Sequence, residues 1–153
     1  MSVRHAAASA ANLALVAGLL GLSGCLGACA IGTAPEIGTR AGLGCVDDSS
    51  ECVQRRQATL RSMVDDKSRS WVHETPTPEA YASGVRLFAF KTKKKELTCD
   101  ELKRGRLEAD TARTSLASIG TKLTPAQMSR SIMLAGEVGR ELQTEFNRRC
   151  KTG

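Results

Sequence analysis

The stretch LTCDELKRGRLEADTARTSLASIGTKLTPAQMSRSIMLAGEVGRELQTEFNRRC, residues 97–150, decides the fold because it carries two complete helix signals in succession. The first is a capping box, in which the Thr98 and Glu101 side chains bond each other's backbone N–H groups. The second is Thr124 followed by Pro125, which suits the first position of a helix. Apolar residues follow both starts at helical spacing: Leu102, Ala109, Ala112, Leu116 and Ile119, then Met128, Ile132, Ala135, Val138, Leu142 and Phe146. The short link at Gly120 predicts two antiparallel helices.

A third helix is predicted upstream, after the acidic and hydroxyl-bearing residues 47–50. Their short side chains have oxygens that can accept hydrogen bonds from the first N–H groups of a helix. Apolar residues at helical spacing carry this helix from Ser50 to Val72. The link HETPTP, residues 73–78, is expected to end it.

A fourth helical segment is predicted to begin with Thr77 as the cap and Pro78 in the first turn. The residues expected on its apolar face are Tyr81, Val85 and Phe88. Its stretch VRLFAF, residues 85–90, has the β-branched and aromatic character of a strand, and the segment ends in the basic run 91–95. Four helices with short links predict an all-α, up-down-up-down four-helix bundle.

The cysteines of this region predict disulfides. In an up-and-down bundle Cys45, Cys52, Cys99 and Cys150 all map to the same end. Four cysteines allow three connectivities, and we favour Cys45 with Cys52 and Cys99 with Cys150. The first bond would close a short loop at a helix start and the second would clamp a helical hairpin. A metal site is not expected, because no CxxC or paired-His spacing occurs.

The N-terminus has the order of an export signal. Arg4 is followed by residues 6–22, which contain no charged residue, and then by LSGC, residues 22–25. This last stretch resembles the lipobox of bacterial lipoproteins, and the resemblance implies cleavage before Cys25 and acylation of its sulfur. Cys29 ends a second passable lipobox, and acylation there would leave an even number of cysteines.

These signals divide the chain into three parts. Residues 1–24 are the predicted signal peptide, 25–44 a lipidated flexible tether rich in Gly and Ala, and 45–153 the helical domain. Acyl chains on one cysteine would hold the protein at a membrane surface. The resemblance to lipoproteins, with Leu26 after the cysteine, favours the outer membrane over the inner one and a domain that faces the periplasm.

The net charge of +6 is concentrated in two clusters, at 91–95 and 103–106. Basic clusters attract the anionic groups of lipids and other polyanions. Nucleic acid is not an expected partner, because no aromatic residues alternate with these basic residues. The residues expected to contact an anionic surface are Lys91, Lys93, Lys94, Lys95, Arg104 and Arg106.

Catalysis is not expected, because the predicted mature chain contains a single histidine, His73, and neither a nucleophile-elbow motif nor a Gly-rich phosphate loop. No cofactor is expected either. The stretches GCVDDSSECVQRRQATL and LTPAQMSRSIMLAGEV, with the residues between them, resemble small exported proteins of alphaproteobacteria, a resemblance that implies no particular activity.

Two functions follow as expectations. The first is a non-enzymatic envelope lipoprotein that binds an envelope protein or an anionic surface component. The alternative is a carrier that holds a small apolar ligand between its helices. The residues expected to line that ligand site are Met63, Met128, Met133, Phe88 and Phe146.

Overall fold

The structure is a computed structural model that describes residues 40–119 and 122–150. The predicted signal peptide and both lipobox cysteines, Cys25 and Cys29, lie outside these residues. The helices are α1 (Ser50–Asp65), α2 (Pro78–Ser83), α3 (Val85–Lys93), α4 (Cys99–Ser118) and α5 (Pro125–Cys150), with a 3-10 turn at Ser70–His73. The described residues contain no strand, so the all-α prediction is confirmed for them.

Helix α1 ends at Asp65, and the prediction that it continues to Val72 is wrong. The Asp66 carboxylate accepts hydrogen bonds from the backbone N–H groups of Ser68 and Ser70, an alternative to the helical pattern. Arg69 then adopts a left-handed conformation with φ of 51°. This turn reverses the chain so that the predicted last residues of the helix form the 3-10 turn instead.

The helical segment predicted to begin at Thr77 is divided at Gly84, whose φ of 73° is left-handed. Glycine suits this conformation because it has no Cβ, and a Cβ here would also lie 2.8 Å from Leu134 Cδ2. The break shifts the helical register, so Phe88 lies 44% exposed while Phe90 is fully buried. Residues 85–90 are helical, and their strand-like composition reflects burial on most sides.

Helices α4 and α5 form an antiparallel pair that packs closely along its length. Their predicted apolar stripes face the core: Leu102, Ala109, Ala112, Leu116, Ile119, Ala135, Val138 and Leu142 are buried, and Met128, Ile132 and Phe146 are partly buried. The two helices and α3 approach closely at Gly105, where a Cβ would lie 2.6 Å from Phe90 Cδ1. Glycine is therefore required at this position by packing.

Both disulfides that the sequence favoured are present. Cys45 bonds Cys52 at the start of α1, and Cys99 at the start of α4 bonds Cys150 at the end of α5. The turn ahead of Cys45 also packs on α1, because Gly42 N–H donates to the buried Thr59 hydroxyl at 3.0 Å. Residues 40–44, part of the segment expected to be a tether, therefore contact the helical domain.

A buried ion pair joins α3, α4 and the 3-10 turn. The Nε and Nη2 atoms of Arg86 donate to the two carboxylate oxygens of Glu108, each at 2.7 Å. Arg86 also donates to the carbonyl oxygens of Trp71 and Glu74, at 2.8 and 3.2 Å. Only 1% of the Arg86 side chain is exposed, so the pair is enclosed by the core.

Tyr81 is buried close enough to this ion pair to feel both charges, and its ionisation supplies a pH-dependent test of the packing. Burial, with a smaller contribution from the Glu108 carboxylate, raises the pKa of Tyr81 to about 12 against the opposing effect of Arg86. Tyr81 is the only tyrosine, so phenolate absorbance follows its ionisation without interference. We expect a midpoint near pH 12 in the folded chain, against about 10 in the unfolded chain.

The effect of this shift on stability has a definite sign. Because the folded state holds the Tyr81 proton more tightly, the contribution to stability is complete below pH 10 and is lost as the pH rises toward 12. A midpoint near 10 in the folded chain would show that water reaches the hydroxyl group, and would contradict the packing of α2 against α4.

Candidate functional site

Three of the four lysines that were expected to contact an anionic surface are paired with carboxylates. Lys91 bonds Glu137 and Glu141, Lys94 also bonds Glu141, and Lys93 bonds Glu96. The Glu137 and Glu141 carboxylates raise the pKa of Lys91, while Lys94 and then Lys91 lower the pKa of Glu141. These contacts fasten the end of α3 to α5. Lys95 is exposed and makes no ion pair within the described residues.

The two predicted arginines lie on different sides of α4. Arg104 lines a shallow groove between α4 and the 3-10 turn, together with Leu107 of α4 and His73 of the turn. The Arg106 guanidinium lies 5.5 Å from the centre of the Phe146 ring, on the side that faces α5. Arg104 and Arg106 therefore border different grooves.

Arg106 instead belongs to a basic groove between α4 and α5. The groove has a volume of about 600 Å³, and Arg113 of α4 and Arg140 of α5 line it as well. We call Arg106, Arg113 and Arg140 the groove arginines. They occupy one opening because residues on the same face of α4 recur every three or four positions and α5 runs antiparallel beside it.

The floor of the groove is made of residues with little or no side chain. Ala109, Ala135, Gly136 and Gly139 line it. A Cβ built on Gly136 would lie 3.5 Å from Arg140 Nη1 and 3.9 Å from Arg113 Nη2. The two guanidinium groups therefore converge above Gly136, one contributed by each helix.

The electrostatics of the groove are strongly positive. Within residues 40–119 and 122–150, none of the groove arginines has a carboxylate within ion-pair distance. Asp110 is the one acidic side chain among the lining residues, and it lies beside Gly139 rather than between the guanidinium groups. Mutual repulsion between neighbouring cations is relieved when an anion binds between them.

Sequence reasoning identified Arg106 but missed Arg113 and Arg140. Neither lies in a basic run, so neither adds to a local charge signal. The signal available in the sequence was the pair Gly136 and Gly139 within an apolar helical pattern, which was interpreted only as a place where a neighbouring helix could approach. Helical spacing alone places Gly136 and Gly139 beside Arg140 on α5. That Arg106 and Arg113 of α4 line the same groove is known only from the packing of α4 against α5.

Within the described residues, the other side chains capable of catalysis or metal binding do not come together in one site. His73 is exposed at the end of the 3-10 turn, and the nearest buried carboxylate in its groove, Glu108, is bound by Arg86. Asp66 caps the turn that follows α1. Among the described residues, no three His, Cys, Asp or Glu side chains gather in a geometry that could hold a metal ion.

The five residues expected to line a ligand site also lie apart. Met63 is in the core, Met128 is partly buried, and Met133 is 73% exposed. Phe88 borders an open groove beside Leu134, and Phe146 packs under the cationic groups of Lys103 and Arg106. The described structure does not bring these side chains to one cavity, so the carrier hypothesis stays a prediction.

Comparisons of the chain with protein-family models, with curated proteins and with solved structures find no significant match. None of the helices in the described part of the chain combines the length and apolar character needed to cross a membrane.

Proposed function

We propose that this protein is a non-enzymatic lipoprotein of the cell envelope whose helical domain binds an anionic envelope component through the groove between α4 and α5. The observation that carries the proposal is the convergence of three arginines without carboxylate partners on one groove. Arginine suits this role because its planar guanidinium donates paired hydrogen bonds to phosphate and carboxylate oxygens.

The envelope location rests on two features. The lipobox-like residues 22–25 support lipid attachment at Cys25, with Cys29 as the alternative. The Cys45–Cys52 and Cys99–Cys150 bonds are typical of proteins in an oxidising compartment. The intact mass of membrane-extracted protein tests the anchor, since a lipidated chain beginning at Cys25 or Cys29 is expected and an unmodified chain beginning at Met1 would refute it.

The rigidity of the site also supports the proposal. We infer that α1, the α2–α3 unit, α4 and α5 alternate in direction as a four-segment bundle. Cys99–Cys150 joins α4 to α5 at one end, and the lysine–glutamate pairs join the end of α3 to α5. A groove between covalently joined helices keeps the backbone positions of its arginines in place, so binding does not have to order the helices as well.

Replacing the groove arginines by glutamine should remove binding without unfolding the domain. We expect the variant R106Q/R113Q/R140Q to lose at least about tenfold of the anionic lipid or glycan that co-purifies with the full chain in neutral detergent, because each lost charge-assisted hydrogen bond weakens binding. Mass spectrometry of the bound material measures this loss, and thermal unfolding should change little because none of the three arginines lies in the core.

A matched control separates the groove from the overall charge. The variant R61Q/K67Q/K122Q removes the same charge from exposed positions outside the groove. We expect it to retain the bound anion at the level of the unaltered chain. Equal amounts of anionic material on the unaltered chain and on both variants would refute the proposed function.

A further inference from the structure

We infer that the groove contains a subsite for a single phosphoryl group, seated over Gly136 between the guanidinium groups of Arg113 and Arg140. This inference rests on the proposed function and names the chemistry of its ligand. The point where a Gly136 Cβ would stand is 3.5 Å from Arg140 Nη1 and 3.9 Å from Arg113 Nη2. An oxygen resting on the Gly136 Cα would stand farther out than that point, and small movements of the exposed Arg113 and Arg140 side chains would bring their nitrogens to hydrogen-bond distance of it, about 2.7 to 3.2 Å.

Packing does not explain the glycine at this position. At Gly105 a Cβ would clash with Phe90 and Leu142, at 2.6 and 2.9 Å, so the fold itself requires glycine there. At Gly136 the nearest atoms would be the two guanidinium nitrogens, at ordinary contact distances, and the backbone is not left-handed. Glycine inside a helix is destabilising relative to alanine. The missing side chain therefore leaves room in the groove without any benefit to the fold.

The donor set favours a phosphoryl group. Arg113 and Arg140 approach the same point from opposite helices, and each can offer parallel N–H donors. A phosphoryl group presents several oxygens in a tetrahedral arrangement, so it can accept from two guanidinium groups at once. A single carboxylate has two coplanar oxygens and satisfies one guanidinium in this way.

Asp110 restricts what can be attached to that phosphoryl group. Its Oδ1 would lie 3.9 Å from a Cβ on Gly139, one turn along the floor from Gly136. A carboxylate in the same groove repels a second anionic group and can accept a hydrogen bond from a hydroxyl. The expected ligand class is a phosphate ester of a polyol, whether a glycerophospholipid headgroup or a soluble phosphosugar or glycerol phosphate.

The substitution Gly136→Ala tests the subsite, because stability and binding should change in opposite directions. Alanine favours the helix, so the melting temperature should rise by about 3 to 6 °C. The new methyl group would push the phosphoryl oxygen away from the helix and from the two guanidinium groups, so affinity for inorganic phosphate should fall at least about tenfold, or 1.4 kcal/mol. Isothermal titration calorimetry of the full chain at constant ionic strength measures the affinity.

Gly139→Ala is the matched control. It makes the same change one turn away, where the nearest atoms to the new Cβ are Ala109 Cβ at 3.5 Å and Asp110 Oδ1 at 3.9 Å. We expect a similar rise in melting temperature and unchanged affinity for phosphate. The variant R113Q/R140Q should lose phosphate binding, with little change in stability, because both arginines are exposed.

The phosphate affinities of the unaltered chain and of the two glycine variants test the subsite, and the anion that co-purifies with the triple arginine variant tests the proposed function. Phosphate binding that is lost in Gly136→Ala and kept in Gly139→Ala supports the subsite. Equal affinity in both glycine variants, or no phosphate binding by the unaltered chain, overturns it. If R106Q/R113Q/R140Q still loses its co-purifying anion in that case, the proposed function stands without the subsite. If that variant also keeps its co-purifying anion, the subsite and the proposed function are both refuted.

Two further titrations identify the source of the phosphoryl group. Glycerol 1-phosphate represents a soluble phosphomonoester, and monomeric dihexanoyl phosphatidylglycerol represents a lipid phosphodiester. Tighter binding of the lipid, lost in Gly136→Ala, would support the subsite and assign it to a membrane headgroup. Tighter binding of glycerol 1-phosphate, lost in the same variant, would support it and assign it to a soluble or polymer-linked phosphate ester.

Discussion

The substitution Arg86→Met should lower the free energy of unfolding by about 3 to 5 kcal/mol, because it leaves the buried Glu108 carboxylate without its partner. Glu108 accepts two hydrogen bonds from Arg86, and both side chains are more than nine-tenths buried. The carbonyl oxygens of Trp71 and Glu74 lose a donor in the same substitution. Urea unfolding followed by the fluorescence of Trp71, the only tryptophan, measures the loss.

The double variant R86M/E108L is the control for this prediction. It removes both charges and fills the space with apolar side chains, so we expect it to recover most of the stability lost by Arg86→Met. The outcome distinguishes an unpaired buried charge from a simple loss of packing. If the double variant were as unstable as the single one, the main role of Arg86 would be its bonds to the 3-10 turn rather than to Glu108.

Removal of the Cys99–Cys150 bond should have the second large effect. The bond closes a loop with a sequence separation of 51, and the entropy of closing such a loop in the unfolded chain corresponds to about 4 kcal/mol. We expect the variant C99S/C150S to lose stability of this size in urea unfolding under non-reducing conditions. It also frees the ends of α4 and α5, so the termini of these helices should exchange their amide hydrogens faster.

The Cys45–Cys52 bond provides the comparison. Its sequence separation is only 7, so C45S/C52S should lose about 2.5 kcal/mol. The difference between the two variants should follow loop length, because each cysteine pair is replaced by the same serines. A larger loss for C45S/C52S would show that contacts of the turn at residues 40–44, rather than loop entropy, account for the stabilisation.

The starts of the helices could be predicted from the sequence because caps are local. Thr98 and Glu101 bond each other's backbone as the capping box requires. Thr124 and Gln127 make the same reciprocal pair at the start of α5. Each involves atoms only three residues apart, so the residue types and their spacing were sufficient.

The ends of the helices were harder to predict. Helix α1 stops at Asp65 although apolar residues continue at helical spacing to Val72. What ends it is a set of hydrogen bonds to Asp66 together with the burial of Trp71, whose indole N–H donates to the Met63 carbonyl at 2.9 Å. Apolar spacing cannot distinguish a continuous helix from a turn that returns the same residues to the core.

At the candidate site, the difference between what local sequence indicates and what tertiary packing decides is larger still. The lysine run was conspicuous in the sequence, yet its neutralising partners Glu137 and Glu141 lie on α5, far along the chain. Arg113 and Arg140 were inconspicuous, yet they converge over Gly136. A count of local charge measures only near neighbours, whereas the net charge at a surface depends on side chains that different helices bring together.

Composition, caps, apolar spacing and cysteine positions were enough to predict that the described residues are helical, where α1, α2, α4 and α5 begin, and the two disulfides, because these depend on contacts within a few turns or on few pairings. The division at Gly84, the buried Arg86–Glu108 pair and the basic groove depended on tertiary structure. Their energies come from burial and from charges on separate helices, and both are defined only once the helices have packed.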